Sequence, residues 1–133
     1  MKMNKKGFTL IELLAVIVIL AVIALIATPV ISGIINDSKQ SALESEAKTV
    51  VSAIDNYCLS RSTLGSTCNL SVSGGNIIDL SANSASVVEL QGATANVTVN
   101  ASTNKVTDFS ITRSGVGTVT YDADATKKYT FAK

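Results

Sequence analysis

The chain reads as an α+β protein: a long N-terminal α-helix, kinked near Pro29, packed against a small antiparallel β-sheet head. Three features of the 133-residue sequence lead there. Of the 28 positions from Phe8 to Ile35, 22 are apolar, a far greasier stretch than anything after it. From Ala42 to Cys58 the apolar residues recur three and four apart, which is helical spacing. Beyond Asn69 they alternate with polar residues in short runs, which is strand spacing.

The front end comes first. Residues 1–7, Met-Lys-Met-Asn-Lys-Lys-Gly, carry three lysines and no acid, the short basic flank that keeps a segment's N-terminus on the cytoplasmic side. Leu13 to Ala27 is then 15 consecutive Leu, Ile, Val and Ala residues. As a helix, Phe8–Ile35 spans about 42 Å at about 1.5 Å per residue, enough to cross a hydrocarbon layer of about 30 Å. An ordinary secretory signal would end in a small-x-small cut, but this run ends in Ala24-Leu25-Ile26-Ala27-Thr28-Pro29 without a good pair. A plain membrane anchor leaves Glu12 unaccounted for, since a carboxylate inside an apolar helix costs a few kcal/mol unless it is partnered or protonated. One reading lets Glu12 reach back to water at the interface end of an anchor. The other begins at Gly7: cutting the Gly7–Phe8 bond would free an amino group at Phe8, and this ammonium and the Glu12 carboxylate would neutralise each other among packed helices. Pro29 removes one backbone donor and Gly33 adds backbone freedom, so a kink or melted stretch is expected near 28–33.

Lys5-Lys6-Gly7-Phe8-Thr9-Leu10-Ile11-Glu12-Leu13-Leu14 resembles the class III signal of the type IV pilins. The likeness takes in the basic leader, the glycine before the cut, the phenylalanine after it, the glutamate as fifth mature residue and Pro29 as the twenty-second. It covers residues 1 to about 60. It implies a leader, 1–7, that a membrane prepilin peptidase removes after Gly7, followed by N-methylation of Phe8. It implies that Glu12 pairs with the Phe8 amine of a neighbouring subunit, and that 8–35 serves first as a transmembrane anchor and later as filament core. The implied partners are other copies of the chain, the peptidase, the pilus assembly platform with its ATPase, and the inner membrane before assembly; no nucleic-acid partner and no cofactor or metal are implied. An all-round apolar helix suits both lipid and a bundle of its own copies, so moving between them need not cost much hydrophobic free energy.

The amphipathic half-helix, 36–60, carries Ala42, Leu43, Ala47, Val50, Val51, Ile54, Tyr57 and Cys58 on one stripe, suited to hold a sheet, with Asp37, Glu44, Glu46 and Lys48 on other faces. The head, 61–133, offers strands at Ile77–Leu80, Val87–Leu90, Asn96–Val99, Val106–Thr112, Gly117–Tyr121 and Lys128–Phe131, in a meander with one face on the stripe and the other on water. Gly74-Gly75 and Gly115-Val116-Gly117 read as turns between them. Cys58 and Cys68 are the only cysteines. The topology puts them outside the cytoplasm, where a disulfide closing loop 58–68 would persist; two free thiols, with Cys58 buried in the stripe, are the alternative.

The chain contains no histidine, which removes the usual general base and most zinc sites. Asp79, Glu89, Asp108, Asp122 and Asp124 are scattered through Ser/Thr/Asn-rich sequence, and Asp122-Ala-Asp124 reads as a solvated turn, so an enzyme is not expected. The leading expectation is a structural subunit, most simply a major pilin, of a surface filament for adhesion, motility, aggregation or DNA uptake, resident in the cytoplasmic membrane before assembly. A pseudopilin of a secretion or competence system is the alternative, and a secreted or anchored β-rich binding domain the remoter one.

Overall fold

The computed structural model describes residues 7–133; positions 1–6 of the expected leader lie outside the described residues. The elements in order are α1 (Leu10–Thr63), β1 (Leu70–Ser73), β2 (Asn76–Asp79), a 3-10 turn (Leu80–Ala82), β3 (Ala85–Glu89), β4 (Thr94–Asn100), β5 (Lys105–Arg113), β6 (Gly117–Asp122) and β7 (Tyr129–Ala132). Contacts divide the chain into one unit ending at Asp37 and another from Ser38 to Lys133.

In the first unit, α1 is exposed on every side, with Ala27 alone half-buried. The helix has no apolar stripe to bury because it is apolar all round. The helix runs unbroken through Pro29 and Gly33, so no stretch of it is melted in the single chain. Proline supplies no N–H at that turn, and two hydroxyls crowd the carbonyls around it: Thr28 Oγ1 donates to Ala24 O at 2.8 Å and Ser32 Oγ to Thr28 O at 3.1 Å. Such i−4 bonds favour bending.

In the second unit, Leu43, Ala47, Val50, Val51, Ile54 and Cys58 of α1 are buried. Tyr57 is half-buried and Ala42, expected on the stripe, is exposed, one position around from Leu43. The helix ends in a Schellman turn: Gly65 adopts φ +71, its N–H bonds Ser62 O at 2.9 Å, and Ser66 N–H reaches back to Arg61 O at 3.0 Å. A residue with a Cβ pays for that left-handed conformation, which is why glycine stands there.

The head is two antiparallel sheets rather than one meander, in the orders β1-β2-β3 and β4-β5-β6-β7. The break falls at Leu90–Ala93, where Gln91 and Gly92 turn the chain with φ +50 and +80 and Leu90 and Ala93 are both buried. Strand β1 went unnoticed in the alternation: only Leu70 and Val72 carry it. It pairs with β2 through the two-residue turn Gly74-Gly75, with Ser73 opposite Asn76, and both glycines have positive φ, as a primed hairpin turn demands. Leu80, expected to end a strand, opens the 3-10 turn instead.

Ala95, Val106, Phe109, Ile111, Val119 and Tyr121 of the four-stranded sheet join Ile77, Leu90 and the helix stripe in one core. Val106 and Phe109 are three apart yet both buried, because the register with β4 skips Thr107; a bulge of this kind resets the alternation. The outer face is ruled by short hydroxyl and amide side chains in cross-strand rows, Thr94–Thr112–Thr118 and Asn96–Ser110–Thr120–Thr130.

Candidate functional site at the N-terminal helix

Gly7 and Phe8 precede α1, and Phe8 is 88% exposed. The backbone of both residues is outside any helix or strand.

Thr9 and Glu12 form a capping box. The Glu12 N–H donates to Thr9 Oγ1 at 3.3 Å, and the Thr9 N–H and Oγ1–H both donate to Glu12 Oε2 at 2.8 Å. Such a box satisfies two of the helix's orphan donors reciprocally, which explains why α1 starts at Leu10 and not at Phe8. The sequence contained the signal, Thr-x-x-Glu ahead of an apolar run, but the question of a partner for the acid hid it. Glu12 thus has a local partner before any neighbour is present.

Leu10 to Ile35 then offers its side chains to the surroundings. Leu25 is 79% exposed, Ile11 73% and Ile26 63%, in a helix long and apolar enough to cross a membrane. Burying surface of this kind is worth roughly 25 cal/mol per Å², so it stays uncovered only in the absence of lipid or protein.

The second unit is built to stay folded. A disulfide joins Cys58 to Cys68 across a separation of 10 residues; Cys58 is 0% exposed and Cys68 6%. Asp79, counted with the scattered acids, is fully buried: its Oδ1 accepts from Ser81 N at 2.8 Å and its Oδ2 from the Tyr57 phenol at 3.0 Å, while Arg61 Nε lies 3.4 Å away. Burial, and then the bond to Asp79, push the Tyr57 pKa up. Asp55 Oδ1 accepts from Val106 N at 2.8 Å, fastening the helix to β5. Arg113 Nη2 reaches both carboxylate oxygens of Glu46 at 2.8 Å. Glu44 pairs with Lys48, four residues on, at 2.9 Å, and this cation lowers the Glu44 pKa. Asp122 and Asp124 make the exposed turn expected of them, Asp124 N–H donating to Asp122 Oδ1 at 2.9 Å.

Comparison with known proteins places one feature. Residues 2–28 match the family described as the prokaryotic N-terminal methylation motif. The chain is also similar to the type IV major fimbrial protein FimA of Dichelobacter nodosus, 37% identical over 79 residues, which is 59% of this chain and 50% of the relative. The similarity thus spans about half the length of that curated relative. No solved structure matches.

Proposed function

We infer that this chain is a type IV pilin, a structural subunit that polymerises through its N-terminal helix into a surface filament. The observation that carries the reading is a contrast within α1. Its first half, most of which lies within the methylation motif, is apolar and exposed on all sides, and its second half is the buried spine of a disulfide-closed head. A segment of the first kind has two stable surroundings, lipid and copies of itself. A subunit stored in a membrane and then withdrawn into a polymer uses both.

The steps follow from the residues. A prepilin peptidase cuts between Gly7 and Phe8, and the new Phe8 nitrogen is methylated. The charged amine enters the packed helices opposite a Glu12 carboxylate of a neighbouring copy, because an unpaired charge of either sign in that medium is strongly unfavourable. Pro29 and Gly33 mark where the helix bends in the filament. An assembly platform and its ATPase supply the work of extraction, and the subunit passes from the cytoplasmic membrane to the cell surface. The similarity to a fimbrial protein favours the pilin over the pseudopilin.

Intact mass and N-terminal sequencing of protein from cells, with electron microscopy of sheared surface material, test this. The expected result is a chain that begins at methylated Phe8 and is found in filaments. A chain that begins near Thr28, or retains Met1, overturns the reading; correct processing without surface filaments points to the pseudopilin.

A further inference from the structure

We propose that Thr9 is a positioning residue for Glu12: it occupies one carboxylate oxygen and leaves the other for the incoming ammonium. This rests on the pilin reading and deepens it. Both Thr9 donors, backbone N–H and hydroxyl, converge on Glu12 Oε2 at 2.8 Å. Among the described residues no donor reaches Oε1. A carboxylate accepts about four hydrogen bonds over its two oxygens, so Thr9 takes one side of the group and orients the rest.

The arrangement survives processing. The cut falls one bond before Phe8, and the amide of Thr9 belongs to the Phe8–Thr9 peptide bond, which is untouched. Only the Phe8 nitrogen changes, from amide to amine. Before assembly the two Thr9 bonds therefore offset part of the cost of holding a carboxylate at the start of an apolar helix. At assembly the ammonium of a second copy's Phe8 meets an acid already fixed in direction, and it need not displace Thr9 to bind. The hydroxyl thus acts through Glu12 on the geometry of the intersubunit pair.

The test compares Thr9→Ser, Thr9→Val and Glu12→Gln in the full chain, expressed in its own host without the wild-type copy. Serine keeps the hydroxyl; valine keeps the branched shape and loses it. Processing at Gly7 is expected to be unchanged in both Thr9 variants. Sheared filament yield is expected to stay near wild type in Thr9→Ser and to fall about tenfold or more in Thr9→Val, the factor that one hydrogen bond to a charged group is worth. Wild-type yield in Thr9→Val, or equal loss in Thr9→Ser, overturns the proposal. A second readout does not depend on filaments. In the processed, 15N-labelled chain in detergent micelles, the amide proton of residue 9 is expected to shift as Glu12 ionises and to stay flat in Glu12→Gln. A flat signal in the wild type overturns the Thr9–Glu12 link; a wild-type chain with the shifting signal and no filaments overturns the pilin reading instead.

Discussion

The phenol of Tyr57 donates to Oδ2 of Asp79, 22 residues further along, at 3.0 Å, and the carboxylate it meets has no exposed surface. Tyr57 sits one residue before the half-cystine Cys58, and Asp79 caps the 3-10 turn after β2. One buried acid therefore gathers the last turns of the helix and the first hairpin of the head.

Replacing Asp79 with alanine leaves the Tyr57 hydroxyl and the Ser81 N–H without their acceptor and the Arg61 guanidinium without its buried carboxylate partner. The expected loss is about 3 kcal/mol, since unmet buried donors and a broken buried pair both contribute. Tyr57→Phe removes one of several bonds and is expected to cost about 1 kcal/mol. Denaturant unfolding of the full chain in detergent, followed by near-ultraviolet circular dichroism, checks the order; a milder effect for Asp79→Ala than for Tyr57→Phe contradicts it.

The Cys58–Cys68 bridge closes a short loop and is expected to contribute about 2 to 3 kcal/mol. Both sulfurs are shielded. Alkylation of the native, unreduced chain should leave both cysteines unlabelled, and Cys58→Ser with Cys68→Ser should lower the unfolding midpoint. Labelling of both residues without reductant would remove the bridge from the protein in solution.

Gly117 opens β6 with φ +140, and a Cβ there would meet Ala132 O at 2.5 Å and Phe131 Cζ at 2.7 Å. Gly117→Ala must push the end of β7 away, at a cost of about 2 kcal/mol. The amides of Tyr129–Ala132 are expected to lose hydrogen-exchange protection while those of β4 and β5 keep it. Uniform loss, or none, contradicts a local clash.

Tyr57, Tyr121 and Tyr129 are all the tyrosines of the chain, and burial is the first cause raising the pKa of each. The folded state therefore prefers the neutral phenols. Their contribution is fully present below the ordinary tyrosine pKa of about 10 and is lost as pH rises through the raised folded values. Tyrosinate absorbance of the folded chain should appear at higher pH than that of the unfolded chain. Ionisation near pH 10, roughly the free-tyrosine value, with the near-ultraviolet spectrum intact would contradict this.

Glu12→Ala should leave cleavage after Gly7 nearly intact and cripple assembly, because the Phe8 ammonium would enter the packed helices unpaired. Gly7→Leu should instead leave precursor in the membrane. Immunoblots of membrane and sheared fractions distinguish the two; normal filaments from Glu12→Ala contradict the pairing.

How far the sequence reached depended on the range of each interaction. The apolar front, the stripe from Leu43 to Cys58 and most strands were legible because periodicity is local. The Thr9–Glu12 box was equally local but was not read, because Glu12 was weighed as a charge that turns to water or to a neighbour's amine, and not as a cap. Asp79 was illegible for the opposite reason: its partners Tyr57 and Arg61 come from another element, and nothing beside it marks it as buried. Alternation located β5 but not the division into two sheets, which depends on the turn at Gln91-Gly92 and on which strands lie side by side. Strand β1 offered two apolar residues in four, too few for period to register.

The rows of threonine, serine and asparagine on the outer sheet face bear on the salt conditions the head tolerates. Hydroxyls and amides hold water without net charge, whereas charged surfaces lose mutual repulsion once salt shortens the Debye length from about 30 Å at 0.01 M to about 3 Å at 1 M. Asp108, Asp122 and Lys105 are the charged residues of that face, so its hydration rests mainly on neutral groups and changes little between fresh water and brine. A protein face of this kind keeps the same tendency to repel or associate across environments that would make a charge-stabilised surface clump.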